Sequence, residues 1–477
     1  MAIQAQAETV VFDELGGSFH GELLLPTSPG YDAARRLWNG AIDRHPGCIA
    51  RCTGVADVVA AVRFAREHDL EIAVRGGGHN VAGTATCDDG IVIDLSAMRA
   101  VWVDPAGRTA RVQAGALWSD VDHETQAHGL ATTGGIVSHT GVAGLTLGGG
   151  IGFLMRKHGL AVDNLLAAEI VTAEGSILRA SADEHPDLFW ALRGGGGNFG
   201  VVTSFHFALH AVGPTVIAGP VFWAADDTTD VLRFYREFAA EAPDELGSVV
   251  RLGTVPPLAD IPDDLHWRPA IAVVCCYAGA VEDGERAMRA LRRFGAPLVD
   301  LISPTPYVAF QGGLDSTVLH GWHYNWKSTN LAGLSDDAIA VLADHAYTAD
   351  SPRSYSTVFH LGGAVRRVPH HATAFAAREV THNIIIDAVW LPGESGKHAA
   401  AETAWARRFL QALRPHRAAG VYVNFLDSDD DACRVREAYG DRIYGRLSEV
   451  KAKYDPDNAF HHNKNISPAA SANAQSL

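Results

Sequence analysis

Three glycine-rich loops, one of which leads into a histidine, are the part of this sequence best suited to chemistry. They are RGGGHN at 75–80, GLTLGGGIG at 144–152 and RGGGGNFG at 193–200. Glycine adopts positive φ without strain, so the backbone N–H groups of such loops can converge on an anion. A single loop of this kind is usually a tight turn. Three of them, each beside a predicted strand, favour a ligand that bears phosphate.

Neither of the two common nucleotide-binding motifs accounts for these loops. Gly195, Gly197 and Gly200 fit the dinucleotide fingerprint G-x-G-x-x-G. However, a helix is predicted before them and a strand after them, whereas that fingerprint requires the reverse order. No lysine followed by serine or threonine closes any of the three loops, so a P-loop is excluded as well.

The elements around the loops alternate between strand and helix. Apolar spacing predicts a helix over 55–67, and turn residues between strand-like segments predict hairpins over 101–115 and 166–181. A short helix that begins at Pro186 leads through the third loop into a strand. Strands joined by both hairpins and helices predict an α+β fold rather than a doubly wound parallel sheet.

The second half of the chain has a different residue pattern. From about Pro214 the glycine clusters largely stop, and long strand-like segments appear: AIAVVCCY, SYSTVFHLGG, HNIIIDAVW and GVYVNFL. Amphipathic helical segments lie between them, for example at 283–295 and 401–413. This pattern predicts a second lobe built on one extended antiparallel sheet backed by helices.

Composition limits the partners. The chain has 477 residues with 55 acidic against 39 basic side chains, a net charge of −16, which disfavours nucleic acid and anionic membranes. No apolar run approaches the roughly 20 residues of a membrane helix, and no signal peptide is recognisable, so a cytoplasmic protein is expected. The six cysteines follow no metal-ligand spacing, and Cys275 and Cys276 are expected to be buried free thiols.

The order of several segments resembles a known family. RGGGHNVAG and GIVIDLSAM are followed by TGVAGLTLGGGIG, by LFWALRGGGGNFGVVTSF, by YVNF and finally by YDPDNAFHHNKNI. The first of these resembles the pyrophosphate loop of FAD-linked oxidases in the vanillyl-alcohol-oxidase superfamily, and the whole series resembles the berberine-bridge-enzyme-like branch. The resemblance implies a PCMH-type FAD-binding domain and an FAD-linked oxidase activity.

The resemblance also implies a division of the chain. Residues 1–40 would form an N-terminal arm, 41–213 the FAD-binding domain, and 214–440 the substrate-binding lobe. Residues 441–477 would return to the FAD-binding domain, and their last part, PAASANAQSL, would be an exposed, disordered end. The predicted fold class is therefore α+β with two lobes.

A covalent flavin is the most specific implication. In the family, the histidine after the glycine turn is bonded to the 8α carbon of the flavin, and His79 is the matching residue. This bond requires a neutral imidazole, and it would fix a ring that the glycines alone leave free. The other residues that the resemblance assigns to FAD binding are Arg75, Gly76, Gly77, Gly78, Asn80, Gly83, Thr140, Gly141, Gly144, Gly149, Gly152, Gly200, Val202, Asn463 and Asn465.

A second covalent link is not expected. Some members of the branch bond a cysteine to flavin C6, but Val137 occupies that position here. Cys87 lies too early in the chain and is expected to be a packed thiol. Thr140 falls where relatives place a residue that tunes access of O2, and its hydroxyl leaves other oxygen chemistry open, including a flavin N5-oxide.

The usual catalytic base of the family is absent. YVNF matches a Tyr-x-Asn-Tyr pattern whose second tyrosine often accepts a proton, but this position is Phe425. Lys327 could hold an anionic substrate, although a solvated surface lysine is favoured. An amine substrate would need no base. The candidates from the second lobe, with the two tyrosines favoured, are Tyr324, Tyr422, His360 and Asp387.

The predicted function is an FAD-dependent oxidase. A hydride would pass from a small alcohol, amine or secondary metabolite to flavin N5, and O2 would reoxidise the flavin to give H2O2. The substrate would bind in the cleft between the lobes. Two alternatives stay open: a dehydrogenase on the same scaffold with another electron acceptor, and a non-catalytic flavin- or metabolite-binding protein.

Overall fold

The computed structural model describes residues 12, 14–17 and 19–470. Its strands in chain order are β1 (Glu22–Leu24), β2 (Cys48–Arg51), β3 (Ile72–Arg75), β4 (Ile91–Asp94), β5 (Val101–Asp104), β6 (Thr109–Gln113), β7 (Leu130–Ala131), β8 (Leu165–Val171), β9 (Ile177–Ser181), β10 (Val201–Ala208), β11 (His210–Ala211), β12 (Thr215–Ala224), β13 (Leu246–Thr254), β14 (Pro269–Tyr277), β15 (Val299–Asp300), β16 (Ser303–Pro306), β17 (His323–Leu331), β18 (Tyr355–His360) and β19 (His382–Trp390).

The α-helices with described bounds are, in chain order, α1 (Tyr31–Ala34), α2 (Val55–Glu67), α3 (Trp118–Gln126), α4 (Val142–Leu147), α5 (Met155–His158), α6 (Pro186–Leu192), α7 (Thr228–Glu241), α8 (Val281–Arg292), α9 (Tyr307–Gln311), α10 (Asp336–Ala346), α11 (Ala364–Arg367), α12 (Gly396–Ala412) and α13 (Ala432–Tyr454). Together with the strands they confirm the predicted α+β fold class.

Two sheets organise the first half of the chain. One has the order β1-β2-β4-β3, in which β2 and β3 run parallel to β4 and are connected through α2. The other is antiparallel, with the order β5-β6-β10-β8-β9. Both predicted hairpins are present as β5–β6 and β8–β9, and the helix predicted over 55–67 is α2. A single hydrophobic core contains side chains from both sheets, for example Ile93 and Phe205.

One large antiparallel sheet organises the second half, as predicted. Its order is β15-β12-β14-β13-β18-β19-β17, and β16 also pairs with β12. Successive side chains of a strand point to opposite faces. Val250, Val358 and Ile386 therefore pack with the helices α7, α10 and α12 in one core. Their chain neighbours, such as Val249 and Phe359, face the opposite side and belong to another core.

The prediction of a strand at GVYVNFL is wrong. This segment forms a short 3-10 turn at Val423–Phe425 instead. The Asn424 side chain explains the turn, because its Nδ2 donates to the Leu145 carbonyl at 3.1 Å and to the Tyr422 hydroxyl at 2.9 Å. These bonds attach the segment to the second glycine loop rather than to a neighbouring strand.

The C-terminal segment returns to the first half of the chain. Helix α13 contains a break at Gly440 (φ +68°) and ends at Tyr454, just before Asp455 and Pro456. The Ile466 N–H then donates to the Asn198 side chain at 2.9 Å, beside the third glycine loop. Of the predicted disordered end, only 468–470 are described, and there the Ala469 N–H donates to Ser448; the remainder lies outside the described residues.

Cysteine burial agrees with the sequence, since Cys87, Cys275 and Cys276 are buried free thiols. Among the helices of the described residues, none has the length and apolar character that crossing a membrane requires.

Candidate active site

A cavity of about 320 Å³ lies between the glycine loops and the large sheet. The floor of the cavity is formed where the first glycine loop packs backbone against backbone on Gly141, three residues before the second loop. A Cβ built on Gly77 would lie 2.5 Å from the Cα of Gly141, so only glycine permits this approach. Gly78 has φ +66°, the left-handed conformation that glycine adopts most readily, and it delivers the next residue, His79, to the cavity.

Most of the residues predicted to bind FAD line this cavity. They are Gly76, Gly77, Gly78, His79, Asn80, Thr140, Gly141, Gly144, Gly200, Val202 and Asn463. The polar atoms Nε2 of His79, Oδ1 of Asn80 and Oδ1 of Asn463 are buried without a hydrogen-bond partner among the described residues. Glycine backbone and unpartnered polar side-chain atoms along one cavity are what a phosphate-bearing dinucleotide requires, so the residues fit FAD.

The other predicted FAD-binding residues do not line the cavity. Arg75 instead supports the first loop from behind, where its Nη2 donates to Asp94 at 2.8 Å. Burial raises the pKa of Asp94, but Arg75 and two bonds from Ser96 outweigh it, so that pKa is lowered. The remaining residues also lie outside the cavity wall. A side chain at Gly83, Gly149 or Gly152 would collide with the Ile42 side chain, the Phe375 ring or the Gly134 carbonyl, and Asn465 belongs to the C-terminal segment.

His79 is held by aromatic neighbours. Its imidazole stacks on the indole of Trp38, with ring centroids 4.2 Å apart and planes 15° from parallel. The His139 ring lies 5.0 Å away and the His320 ring 6.4 Å away. Burial, and then these two imidazoles, lower the pKa of His79 well below its usual value. At neutral pH the ring is therefore uncharged, as a nucleophile must be.

Asp387 is the acid–base group best placed in the cavity. Its carboxyl is 2% exposed and lines the cavity, and its Oδ2 has no hydrogen-bond partner among the described residues. Burial raises the pKa of Asp387 to about 7, although Arg251, Tyr355 and Trp326 oppose the shift. A carboxyl with this pKa exchanges protons readily near neutral pH.

Tyr422 also lines the cavity, but its hydroxyl is engaged. The oxygen accepts hydrogen bonds from the Gly150 N–H and the Asn424 Nδ2, each at 2.9 Å. Burial raises the pKa of Tyr422 although both bonds lower it. The ring of Phe425 meets Tyr422 edge-on at 4.8 Å and also lines the cavity.

Two of the predicted catalytic residues, His360 and Tyr324, do not line the cavity. His360 lies on the helix-facing side of β18, because its neighbour Phe359 takes the cavity side, and its Nε2 is 3.1 Å from Arg156. Tyr324 lies outside the cavity wall, where its ring stacks on Trp38 and its hydroxyl donates to the Leu319 carbonyl at 2.7 Å.

The expectation of a solvated Lys327 is also wrong. The side chain is 5% exposed, and its Nζ lies 2.5 Å from Asp429. Because Trp326 takes the cavity side of β17, Lys327 points to the opposite face and cannot reach a substrate in the cavity.

Other cavity residues were not identified from the sequence. Arg251, Trp326 and Tyr355 sit on strands whose apolar neighbours conceal which face is functional. Lys464 also lines the cavity, and burial lowers its pKa to about 8 while Asp427 opposes that shift. Lys464 lies between Asn463 and Asn465, and this position in the sequence could have identified it as a cavity residue.

Comparisons with known proteins agree with this geometry. A family model described as "FAD binding domain" matches residues 46–181, and one described as "Berberine and berberine like" matches residues 421–467. (R)-6-hydroxynicotine oxidase of Paenarthrobacter nicotinovorans is 33% identical over 95% of this chain and 98% of its own. An FAD-linked oxidoreductase of Dictyostelium discoideum is also 33% identical, over 96% of this chain and 97% of its own.

Solved structures share the fold. The crystal structure of 6-hydroxy-D-nicotine oxidase from Arthrobacter nicotinovorans superposes with a TM-score of 0.82 at 31% identity, covering 95% of this chain and 99% of that one. The BBE-like 1 protein of Physcomitrella patens superposes with a TM-score of 0.85 at 22% identity, covering 97% and 99%. The chain therefore belongs to the berberine-bridge-enzyme-like branch of the vanillyl-alcohol-oxidase superfamily, and it is an FAD-linked oxidase.

Proposed function

We propose that this enzyme oxidises a small, largely apolar alcohol or amine, with Asp387 as the catalytic base. The observation that carries the proposal is the buried carboxyl of Asp387 in the cavity wall, whose Oδ2 has no hydrogen-bond partner among the described residues and whose pKa is raised to about 7. When bound, FAD supplies the hydride acceptor at N5, and reoxidation by O2 yields H2O2.

Asp387 replaces the base that the family usually supplies. Phe425 cannot take a proton, and the Tyr422 hydroxyl already accepts two hydrogen bonds. Asp387 in its ionised form can accept the O–H or N–H proton of a substrate at the free Oδ2 while the hydride leaves the adjacent carbon. Burial excludes water, so the proton passes to the carboxylate rather than to solvent.

His79 would attach the cofactor by a single covalent bond. Its imidazole is uncharged, its Nε2 is unpartnered, and Trp38 fixes the plane of its ring. Val137 lines the cavity at the position where a second, cysteinyl link would form, so one bond is the expected number. The division into an FAD-binding domain (41–213) and a substrate lobe (214–440) follows from the same proposal, since the cavity lies between the glycine loops and the large sheet.

The cavity wall on the sheet side favours a compact substrate. Apolar side chains dominate it, among them Val249, Val274, Trp326, Phe359 and Ile385. Apolar walls with few polar groups select small, mostly hydrophobic molecules over extended sugar chains. One relative, (R)-6-hydroxynicotine oxidase, is named for a single small molecule as its substrate, 6-hydroxynicotine.

The test is anaerobic reduction of the flavin by a panel of small aromatic alcohols and amines. We expect at least one panel member to bleach the flavin absorbance. Air should then restore the absorbance and yield one H2O2 per turnover. The Asp387→Asn substitution should slow bleaching by about 10²-fold or more. Asp264→Asn, which removes an exposed carboxyl outside the cavity, is the matched control and should change the rate less than twofold.

Three results would separate the alternatives. Bleaching followed by slow reoxidation in air would indicate a dehydrogenase with another electron acceptor. Tight binding of a panel member without bleaching would indicate a flavin- or metabolite-binding protein. Normal bleaching by the Asp387→Asn variant would overturn the role of Asp387 alone.

A further inference from the structure

Arg251 is a cation in the cavity wall that forms no ion pair within the described residues. It lies on β13 on the same face as Val249, and both side chains line the cavity. No carboxylate among the described residues lies within ion-pair distance of its guanidinium. Its Nη1 donates to a neutral acceptor, the Thr317 hydroxyl, at 3.0 Å.

The guanidinium is nevertheless firmly positioned. Its central carbon lies 3.6 Å from the ring centroid of Tyr355, a cation–π contact that fixes the plane of the group. Nε and Nη2 make no hydrogen bond within the described residues. The arginine therefore presents part of a planar, pre-oriented set of donors to the cavity.

The nearby carboxyl compensates this charge only in part. Asp387 interacts electrostatically with Arg251 without an ion pair, and burial raises the pKa of Asp387 to about 7, so the carboxyl is only about half ionised at neutral pH. A positive charge among apolar walls is unfavourable unless an anion compensates it. No side chain of the described residues supplies a full counter-charge to Arg251, so the compensating anion would come from the ligand.

We propose that the substrate carries a carboxylate and that Arg251 binds it. The substrate class would be a small aromatic or alicyclic alcohol or amine with an acid group, the acid on Arg251 and the oxidised carbon toward Asp387. This inference rests on the proposed function for its orientation of the substrate. The recognition of a carboxylate by Arg251 stands independently of turnover.

The experiment measures binding to the oxidised, FAD-loaded protein without turnover. Benzoate and benzamide are the probes, because they have the same shape and differ in charge. Each is titrated while the perturbation of the flavin absorbance is followed at neutral pH. We expect benzoate to bind at least tenfold more tightly than benzamide, as a charge-assisted pair in a largely apolar site should.

Variants assign the preference to one side chain. Arg251→Met should weaken benzoate binding about 30-fold or more and change benzamide binding less than threefold, whereas Arg251→Lys should restore part of the benzoate affinity. Arg289→Met is the matched control, since it removes the same charge from an exposed position on α8 and should alter neither affinity.

Defined results would overturn the inference. Equal affinities of the wild type for the two probes, or no perturbation by benzoate, would do so even if Arg251→Met failed to fold. An unchanged benzoate affinity in a folded, flavin-loaded Arg251→Met variant would do so as well. The binding experiment does not measure bleaching, so the two proposals can fail separately. If no panel member bleaches the flavin but the protein still prefers benzoate to benzamide, the oxidase proposal fails and carboxylate recognition is supported.

Discussion

The imidazole of His79 stacks on the indole of Trp38, with centroids 4.2 Å apart. Trp38 is 1% exposed, its Nε1 donates to the Val318 carbonyl at 3.2 Å, and its indole also contacts the rings of Tyr324 at 3.8 Å and Trp326 at 5.4 Å. The indole thus connects the first glycine loop to the second half of the chain. It restricts the orientation of an imidazole whose preceding glycines impose little restriction of their own.

Covalent flavin attachment should depend on this stack. His79→Ala should release all flavin to the supernatant after acid precipitation, whereas the wild-type pellet should stay yellow. Trp38→Leu should slow covalent incorporation about tenfold or more when FAD is added to the apoprotein, because the ring loses its fixed plane. Trp38→Phe keeps an aromatic face, so its rate of covalent incorporation should lie between those of Trp38→Leu and the wild type.

The control for attachment is Trp102→Leu, which removes a tryptophan that is 53% exposed on β5. It should incorporate flavin at the wild-type rate. Equal incorporation rates for Trp38→Leu and the wild type would show that the stack does not orient His79. Flavin retained in the acid pellet of His79→Ala would exclude His79 as the attachment site.

The rate of flavin reduction should depend on pH through Asp387. The pKa of this carboxyl is raised to about 7 by burial, and only the ionised form accepts a proton. With saturating substrate under anaerobic conditions, the rate should therefore rise as pH increases from 5 to 9, with a midpoint near 7. The Asp387→Asn variant should reduce its flavin slowly at every pH, without this rise in rate. A midpoint near pH 4, or an unchanged step in the variant, would contradict the assignment.

Stability should depend on pH through another buried carboxyl, that of Asp122. This side chain is 1% exposed, its Oδ2 accepts from Gln311 at 3.3 Å, and its Oδ1 is unpartnered among the described residues. Burial raises the pKa of Asp122 to about 7 from 3.8, and the Gln311 bond only partly opposes it. Between these two values the folded state binds the proton more tightly than the unfolded state, so the free energy of unfolding falls as pH rises through this window.

Asp122→Asn should remove this dependence. Compared with the wild type, the variant should be about 1–3 kcal/mol more stable at pH 8 and nearly equal at pH 4, as measured by urea unfolding of the flavin-loaded protein. Asp264→Asn, at an exposed position, should leave the wild-type pH profile unchanged. An Asp122→Asn variant that loses stability at pH 8 would show that the ionised carboxylate is favourable in the fold.

The sequence predicted the cofactor half of the site better than the substrate half. A glycine loop must place its backbone beside the ligand, so the position of Gly78 and His79 along the chain already determines their role. Strand residues differ, since a shift of one residue moves a side chain to the opposite face. Both Phe359 and His360 lie in an apolar run, and only the pairing of β18 shows that Phe359 faces the cavity.

Long-range contacts account for the other errors. GVYVNFL has the composition of a strand, but the bond from Asn424 to Leu145 joins positions 279 residues apart and favours a turn. The sequence around Lys327 is typical of a surface lysine, because its partner, Asp429, lies 102 residues away in the chain and belongs to a loop with no periodic pattern. Local composition contains no information about such partners.

The C-terminal segment should be anchored by the buried ion pair of Lys451 and Asp455, both 0% exposed and 2.6 Å apart. The Lys451 Nζ also donates to the carbonyls of Asn198, at the third glycine loop, and Phe460. Lys451→Met should lower the free energy of unfolding by about 3 kcal/mol, because Asp455 would remain buried without its cation. Burial lowers the pKa of Lys451, and Asp455 opposes that shift, so the pair is sensitive to loss of either partner.

A double variant distinguishes the pair from simple packing. Lys451→Met with Asp455→Asn should be less destabilised than the sum of the two single variants, by about 1 kcal/mol or more, since no uncompensated charge remains. Lys453→Met is the matched control, because that lysine is exposed and pairs with Asp187 at the surface; its loss should change stability by less than about 1 kcal/mol. Additive losses in urea unfolding would mean that the two charges act independently, and the tail would then be held mainly by the apolar contacts of Phe460 and Ile466 in the first core.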